Sequence, residues 1–392
     1  IIEQINRGQS LKKLIPYPLK FVELERLAET CSNIIDSNIF FLNSLFKELE
    51  NRDEDNIRDI FRGFRESVRE LESVEHYGIT ALYYQTQEVG YLNKLIHKAK
   101  QEINLPLIPP SVACISTGYY YYYSLTNVIF VPIGESEFLL HLPDFFHELG
   151  HAVLSKRNEI KLRKLQEAFT KAIEVIVNHY HQLFIKKSRE TAPQEISMLI
   201  RHIHSQWKYW VEEFFCDLFA LYTLGPAYAW SHMHLTSKKS DNIYRFSKFL
   251  PDTHPSDEAR MRMLSIGLEL LGFKDEVNEI QAKWQSMPTL VVAKPVPEYQ
   301  YAYPDDVMKE LAGFFLEGLR ECSFSFLSPE RLKNLKQDSI IKLLNDAWVL
   351  FWSNPSNFRK WEEEIVQGLK KQFGLRENAQ KSESPLNLAA KD

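Results

Sequence analysis

From Leu19 to about Ile103 the apolar positions fall three and four residues apart, as in Ile39, Leu42, Leu45, Phe46 and Leu49, and again in Ile57, Ile60, Phe61, Phe64, Val68 and Leu71. That spacing puts them on one face of a helix, so two amphipathic helices are expected, separated by the charged linker Asn51 to Asn56. Leu105-Pro106 through Pro109-Pro110 breaks the pattern. Residues 111–133 turn β-branched and aromatic: Val112 to Thr117, the Tyr119–Tyr123 run, and Asn127 to Ile133, with Gly118 and Ser124–Asn127 as turns. They predict two or three strands of a small sheet, with Pro132 at an edge or a strand end because it has no N–H for the ladder. The five tyrosines either line a substrate groove or pack on both faces of a strand.

Beyond Pro143 the helical period returns over 143–156, about 158–187, 194–224 and 227–235, with Gly225-Pro226 ending the third of these. Another helix opens within Thr253-His254-Pro255-Ser256-Asp257-Glu258 and runs to Leu271, closed by Gly272; segment 305–373 holds three or four more around Pro329 and Pro355. The polar tail from Arg376 has too little apolar surface to order itself. No internal repeat is present. The pattern predicts a mainly α fold with a small β-sheet (α+β): a helical N-terminal region 1–105, a core 106–290, a helical C-terminal region 291–375 and a disordered tail 376–392.

Composition changes this picture only by exclusion. The 392 residues are 44% hydrophobic and 25% charged, an ordinary globular mixture long enough for a large core. A net charge of −5 gives no reason to expect a nucleic-acid partner, and lysine patches at Lys161–Lys164 and Lys186-Lys187 read as solvated helix faces. Cys31, Cys114, Cys216 and Cys322 are scattered without a CxxC pair, which predicts no disulfide framework and a reducing, cytoplasmic setting. No apolar run reaches the length of a membrane span and no signal peptide opens the chain. It begins at Ile1 rather than Met, so the numbering is expected to start inside a longer product or after processing.

The candidate chemistry sits in LPDFFHELGHAVL. His147 and His151 are four apart, about 40° of rotation on a helix, so both imidazoles leave one face and suit a tetrahedral Zn²⁺. Glu148 falls beside the metal without ligating it, where a carboxylate takes a proton from metal-bound water. Pro143 suits a first helical turn, and Asp144 puts a negative charge at the positive helix end. A catalytic zinc needs a third protein ligand. The candidate lies in WVEEFFCDLFALYTLGPAYA, where Glu213 and Asp217 share a face with Trp210, Ala220 and Leu224. Two acids on an apolar helix face are costly unless paired or metal-bound. Glu213 is the expected ligand, with Glu212 as fallback, and Asp217 is placed to accept the second N–H of a ligating imidazole.

HELGH followed by E-x-x-C-D-L-F-A resembles the gluzincin metallopeptidases, whose later helix carries E-x-x-A-D-x-x-A. Thr253-His254-Pro255 with Arg260 is similar to a further motif of the HtpX and prenyl-protein protease group, and Gly225-Pro226 is similar to the Pro after the glutamate helix in the ImmA/IrrE regulatory proteases. The resemblance spans roughly residues 127–271. It implies a zincin-like core, one Zn²⁺ per chain on His147, His151 and Glu213, and peptide hydrolysis with Glu148 as general base and acid. It also implies that His254 binds the oxyanion, for which Tyr119–Tyr123 are alternatives, and that Arg260 holds the surrounding carboxylates. His254-Pro255 also reads as a helix start capped by Thr253. Cys216 replaces the usual Ala, and the membrane helices of the prenyl-protease group are missing. His202, His204, His232 and His234 stand two apart, do not share a face, and are read as ordinary polar residues; no second metal is expected. The substrate is then a protein or peptide held along an edge strand of 111–133, and region 1–105 either gates the groove or recruits a regulatory partner. The rival from another class is a zincin-like scaffold or sensor that binds a partner without turnover.

Overall fold

A computed structural model describes residues 1–50, 57–189, 194–247, 250–291 and 293–375. The expected linker Asn51 to Asn56 and the tail from Arg376 lie outside the described residues. The chain is mainly α with a small β-sheet, as the pattern predicts. The N-terminal helices are α1 (Ile2–Leu14), α2 (Glu25–Glu50), α3 (Ile57–Ser73), α4 (Thr80–Tyr83), which continues α3 through a π-helical turn, and α5 (Gln87–Glu102). Strands β1 (Ser111–Ser116), β2 (Tyr121–Tyr123) and β3 (Val128–Pro132) follow. Then come α6 (Asp144–Ser155), α7 (Arg163–Arg189), α8 (Gln194–Leu224), α9 (Pro226–Lys239), α10 (Asp257–Leu271), α11 (Lys274–Trp284) and α12 (Met287–Leu290). Helices α13 (Asp305–Glu321), α14 (Pro329–Asn334), α15 (Ile340–Ser353) and α16 (Pro355–Gln372) complete the described chain.

The sheet order is β1-β3-β2, with β3 parallel to β1 and antiparallel to β2, so β2 is an edge. Pro132 ends the central strand, where its missing N–H interrupts no further pairing. The tyrosines of β2 do pack: Tyr121 stacks on Phe130 at 4.9 Å between ring centres, and Tyr123 lies 4.2 Å from Tyr77.

Helix α8 is the axis of the fold. Every residue from Glu213 to Leu224 is buried, and α6, α7, α9, α10 and α13 all pack on it. A helix that is apolar all round can only sit in a core. Against α6 the approach is close: a Cβ on Gly150 would stand 2.8 Å from Cys216 Cα, so the two backbones meet at a point where only glycine fits.

Two expectations are corrected in detail. Of the expected N-terminal stripes, Leu49, Ile57 and Phe61 are exposed; the buried strip of α3 is Ile60, Gly63, Ser67 and Leu71, and Ser67 exchanges hydrogen bonds with Asn38 of α2. The cap of α10 is Ser256, whose Oγ accepts from Ala259 N at 3.2 Å, while Thr253 hydrogen-bonds His254 instead.

The N- and C-terminal stretches join the central one in a single apolar cluster running from Leu11 to Leu369. Polar joints pin them together. Asn93 of α5 donates to Val112 O (2.9 Å) and accepts from Val112 N (3.0 Å), closing the free edge of β1. Glu102 caps α15 by accepting from Ile340 N and Ile341 N, and Glu362 of α16 accepts from Leu139 N at 2.7 Å. Asn93→Ala strands two buried backbone groups at about 1–3 kcal/mol each. Urea unfolding should show that loss, and a chain lacking 1–105 should not fold. A soluble 106–375 fragment with the helical circular dichroism of the full chain would contradict this.

Candidate metal centre

Helices α6 and α8 bring three donors together. Glu213 Oε2 lies 3.4 Å from His147 Nε2, and Glu213 Oε1 lies 3.5 Å from His151 Nε2. Two donors each 2.0–2.1 Å from a tetrahedral Zn²⁺ stand about 3.4 Å apart, so the spacing fits a shared ion. Glu213 Oε2 is also buried without a hydrogen-bond donor. A buried carboxylate oxygen with no donor is costly, and a cation shared with the two histidines would relieve that cost. Cys216 Sγ also lies within 4.8 Å of one nitrogen on each histidine. We favour Glu213 as the third donor. Its oxygens span both rings and Oε2 has no donor, whereas the Cys216 sulfur fills the contact with Gly150.

Asp217, one turn on, is fully buried and well supplied. Arg260 of α10 donates to it twice, at 2.9 Å and 2.5 Å, and Tyr228 of α9 donates at 2.5 Å. Asp217 Oδ1 lies 3.0 Å from His147 Nδ1, and the Tyr228 hydroxyl lies 2.9 Å from the same nitrogen. With Nδ1–H turned to these oxygens, Nε2 keeps its lone pair on the Glu213 side. Arg260 NH2 also donates to Tyr228 Oη at 3.0 Å. Arg260 therefore holds one carboxylate, Asp217, rather than several. Tyr228 reaches the site because Gly225, at φ 79°, turns the chain sharply from α8 into α9.

These residues line a cavity of about 820 Å³ between α6, α8, α9, β2 and the loop before α10. Glu148 is buried in its wall, beside the backbone of Tyr122. His254 enters from the loop, 64% exposed, with Nε2 3.8 Å from Glu213 Oε1. Glu212, on the rim, is half-buried and lies 3.5 Å from Arg157. The tyrosine hydroxyls are engaged elsewhere: Tyr119 with Asp144, Tyr120 with Glu135, and Tyr122 with Asn127 and Ser155. His232 departs from its reading as an ordinary polar residue. It is 2% exposed and lines the cavity, 3.9 Å from Asp257.

The electrostatics follow from burial and pairing. Burial alone depresses His147, but the facing carboxylates of Asp217 and Glu213 carry it up to about 10. Burial and the neighbouring His147 lower His151 to about 4. Glu213 would be raised by burial, yet His147 brings it down to about 2. Asp217, raised by burial, is held far below the carboxylate range chiefly by Arg260. Glu148 goes up to about 7, mainly by burial, with His147 opposing and Glu213 and Asp144 adding to it.

All seven residues singled out in the sequence, His147, Glu148, His151, Glu213, Asp217, His254 and Arg260, line or border this one cavity. Sequence reasoning missed Tyr228. Its only trace was position, just after the Gly225-Pro226 break, and no spacing rule ties it to His147. Searches against protein families, curated proteins and solved structures return no match.

Arg260→Ala leaves the Asp217 carboxylate buried without its main partner, a loss of about 3–5 kcal/mol. The melting temperature should fall accordingly, and a variant that melts with the wild type would refute the pairing's importance.

Proposed function

We propose that the chain is a zinc-dependent peptidase of gluzincin type, with His147, His151 and Glu213 holding one Zn²⁺. The observation that carries this reading is the Glu213 carboxylate, which spans both histidines at 3.4 and 3.5 Å while one oxygen lacks any donor. A bound Zn²⁺ supplies Lewis acidity, polarising a substrate carbonyl and acidifying water.

The chain's own residues account for the rest. Glu148, buried in the cavity wall, takes the proton of the attacking water and returns it to the leaving amide nitrogen. Asp217, Tyr228 and Arg260 fix the rotation and tautomer of His147. His254 supplies the oxyanion hydrogen bond, since the hydroxyls of Tyr119, Tyr120 and Tyr122 are engaged with other side chains. The unpaired side of β2 offers main-chain hydrogen bonds to an extended peptide. Four free cysteines agree with a reducing, cytoplasmic setting, and no helix among the described residues is long and apolar enough to cross a membrane. A scaffold without turnover has no need for a buried Glu148 beside such a cavity, so the catalytic reading is preferred.

Metal analysis by mass spectrometry tests the site directly. The wild type should carry one equivalent of zinc, Glu213→Ala close to none, and Cys216→Ala an undiminished amount; zinc lost from Cys216→Ala but kept in Glu213→Ala would move the ligand to the thiol. Glu148→Gln should retain zinc and lose peptide hydrolysis by about a hundred-fold or more. Full activity in that variant would remove Glu148 from the reaction.

A further inference from the structure

The basic side chains lining the cavity are not equivalent. Arg260 is bound to Asp217, and Arg157 lies 3.5 Å from Glu212. Lys239, the last residue of α9, has no carboxylate within 4.0 Å among the described residues. Its ammonium instead sits 3.9 Å from the centre of the Tyr119 ring, and that ring is anchored through its hydroxyl to buried Asp144. An exposed cation–π contact is worth about 0.5–1 kcal/mol, enough to lean the lysine over the cavity wall. It leaves the ammonium's own protons free for an anion.

The position sets what that anion can be. Asp144 opens α6, three residues before His147, which is about 4.5 Å along a helix axis, and Tyr119, just ahead of β2, is bonded to it there. An extended peptide advances about 3.3 Å per residue, so the ammonium stands one or two substrate residues from the carbonyl that reacts. The acids elsewhere in the cavity are engaged: Glu213 faces the two histidines, Glu212 lies by Arg157, and Asp257 lies 3.9 Å from His232. We propose that Lys239, poised over Tyr119, is a specificity residue that selects peptides carrying a carboxylate one or two residues from the bond cut. That carboxylate is an Asp or Glu side chain or the chain terminus. The assignment rests on the peptidase reading of the same cavity.

The test uses the zinc-loaded full chain and a set of internally quenched decapeptides. Positions on either side of a central bond are varied among Asp, Glu, Ala, Gln and Lys, and cleavage points are read by mass spectrometry. Acidic peptides should be cut with kcat/KM about three- to ten-fold above their Ala and Gln counterparts at one flanking position, with the advantage shrinking in high salt. Lys239→Gln should narrow the gap and Lys239→Glu should invert it toward lysine. Amidating the peptide C-terminus separates the two sources: loss of the advantage assigns it to the terminal carboxylate, and its survival assigns it to the side chain. The same ranking in wild type and Lys239→Glu overturns the proposal. Anisotropy of fluorescein-labelled acidic and neutral decapeptides on both proteins decides the carboxylate preference independently of turnover. If no peptide is cut yet the acidic one binds better to the wild type alone, the peptidase reading fails and the Lys239 subsite stands. Equal binding of both peptides to both proteins, with no cleavage, removes both.

Discussion

Two carboxylates on the driest stretch of α8 govern everything around them. Glu213 and Asp217 are one turn apart, on one face, each under a tenth exposed. A charge in such a place costs several kcal/mol unless a partner of opposite sign is built beside it. Asp217 has that partner in Arg260, faces His147, and takes a further hydrogen bond from the neutral Tyr228 hydroxyl. Glu213 does not: it faces two imidazole nitrogens at distances too long for good hydrogen bonds, and one of its oxygens has no donor. The same helix face thus carries one acid satisfied by protein and one that, on the proposed reading, is completed by a cation. Without a metal, that cation is the proton on His147, which explains why His147 is raised while Glu213 is lowered.

The rest of the fold can be understood as what this pair demands. The histidines must face Glu213 at a fixed height, and the Gly150 to Cys216 contact sets it by letting α6 and α8 touch backbone to backbone. Arg260 must come from outside that pair, and α10 brings it with a first turn capped by Ser256. Tyr228 must double back over Asp217 within eleven residues of it on the chain, and the turn at Gly225 makes that reversal. Helices α7 and α13 close the remaining flank of α8 and keep water from it. The N-terminal region does not stand apart from this: α5 seals β1 through Asn93 and caps α15 through Glu102, so the sheet that lines the cavity with Glu148 depends on it.

What the sequence discloses divides along a physical line. Features set within one helix were legible: the four-residue spacings of His147 with His151 and of Glu213 with Asp217 need only the helical period. Arg260 and His254 entered only through a family resemblance, because nothing local ties a residue in α10 to one in α6. Tyr228 was out of reach for the same reason, its role being set by where α9 packs. Periodicity also names a face without saying which face wins. In α3 the larger stripe with Ile57 and Phe61 stays outside, while Gly63 and Ser67 let α2 come close enough for Asn38 to bond. His232 looked polar by its spacing from His234, yet α9 is covered on the side it faces. Thr253 was the expected cap, but only the residue whose oxygen reaches Ala259 N can serve, and that is Ser256.

The division of labour within the cavity follows from the same burial. Its inner wall is fixed: His147, Glu148, Glu213, Asp217 and Tyr228 are all buried and most are held by several partners. The tyrosines opposite are committed as well, since three hydroxyls bond to neighbouring side chains and Tyr121 stacks on Phe130. What remains free to respond to a ligand such as the proposed peptide is the outer rim. His254 stands in the loop before α10, its Nδ1 tied only to the neighbouring Thr253, and Lys239 rests on a ring face rather than on an acid. Reorganising the wall would uncover charges that have no other partner, whereas moving the rim breaks no buried pair. On the proposed peptidase reading, discrimination between substrates therefore belongs to the rim, and the chemistry to the wall behind it.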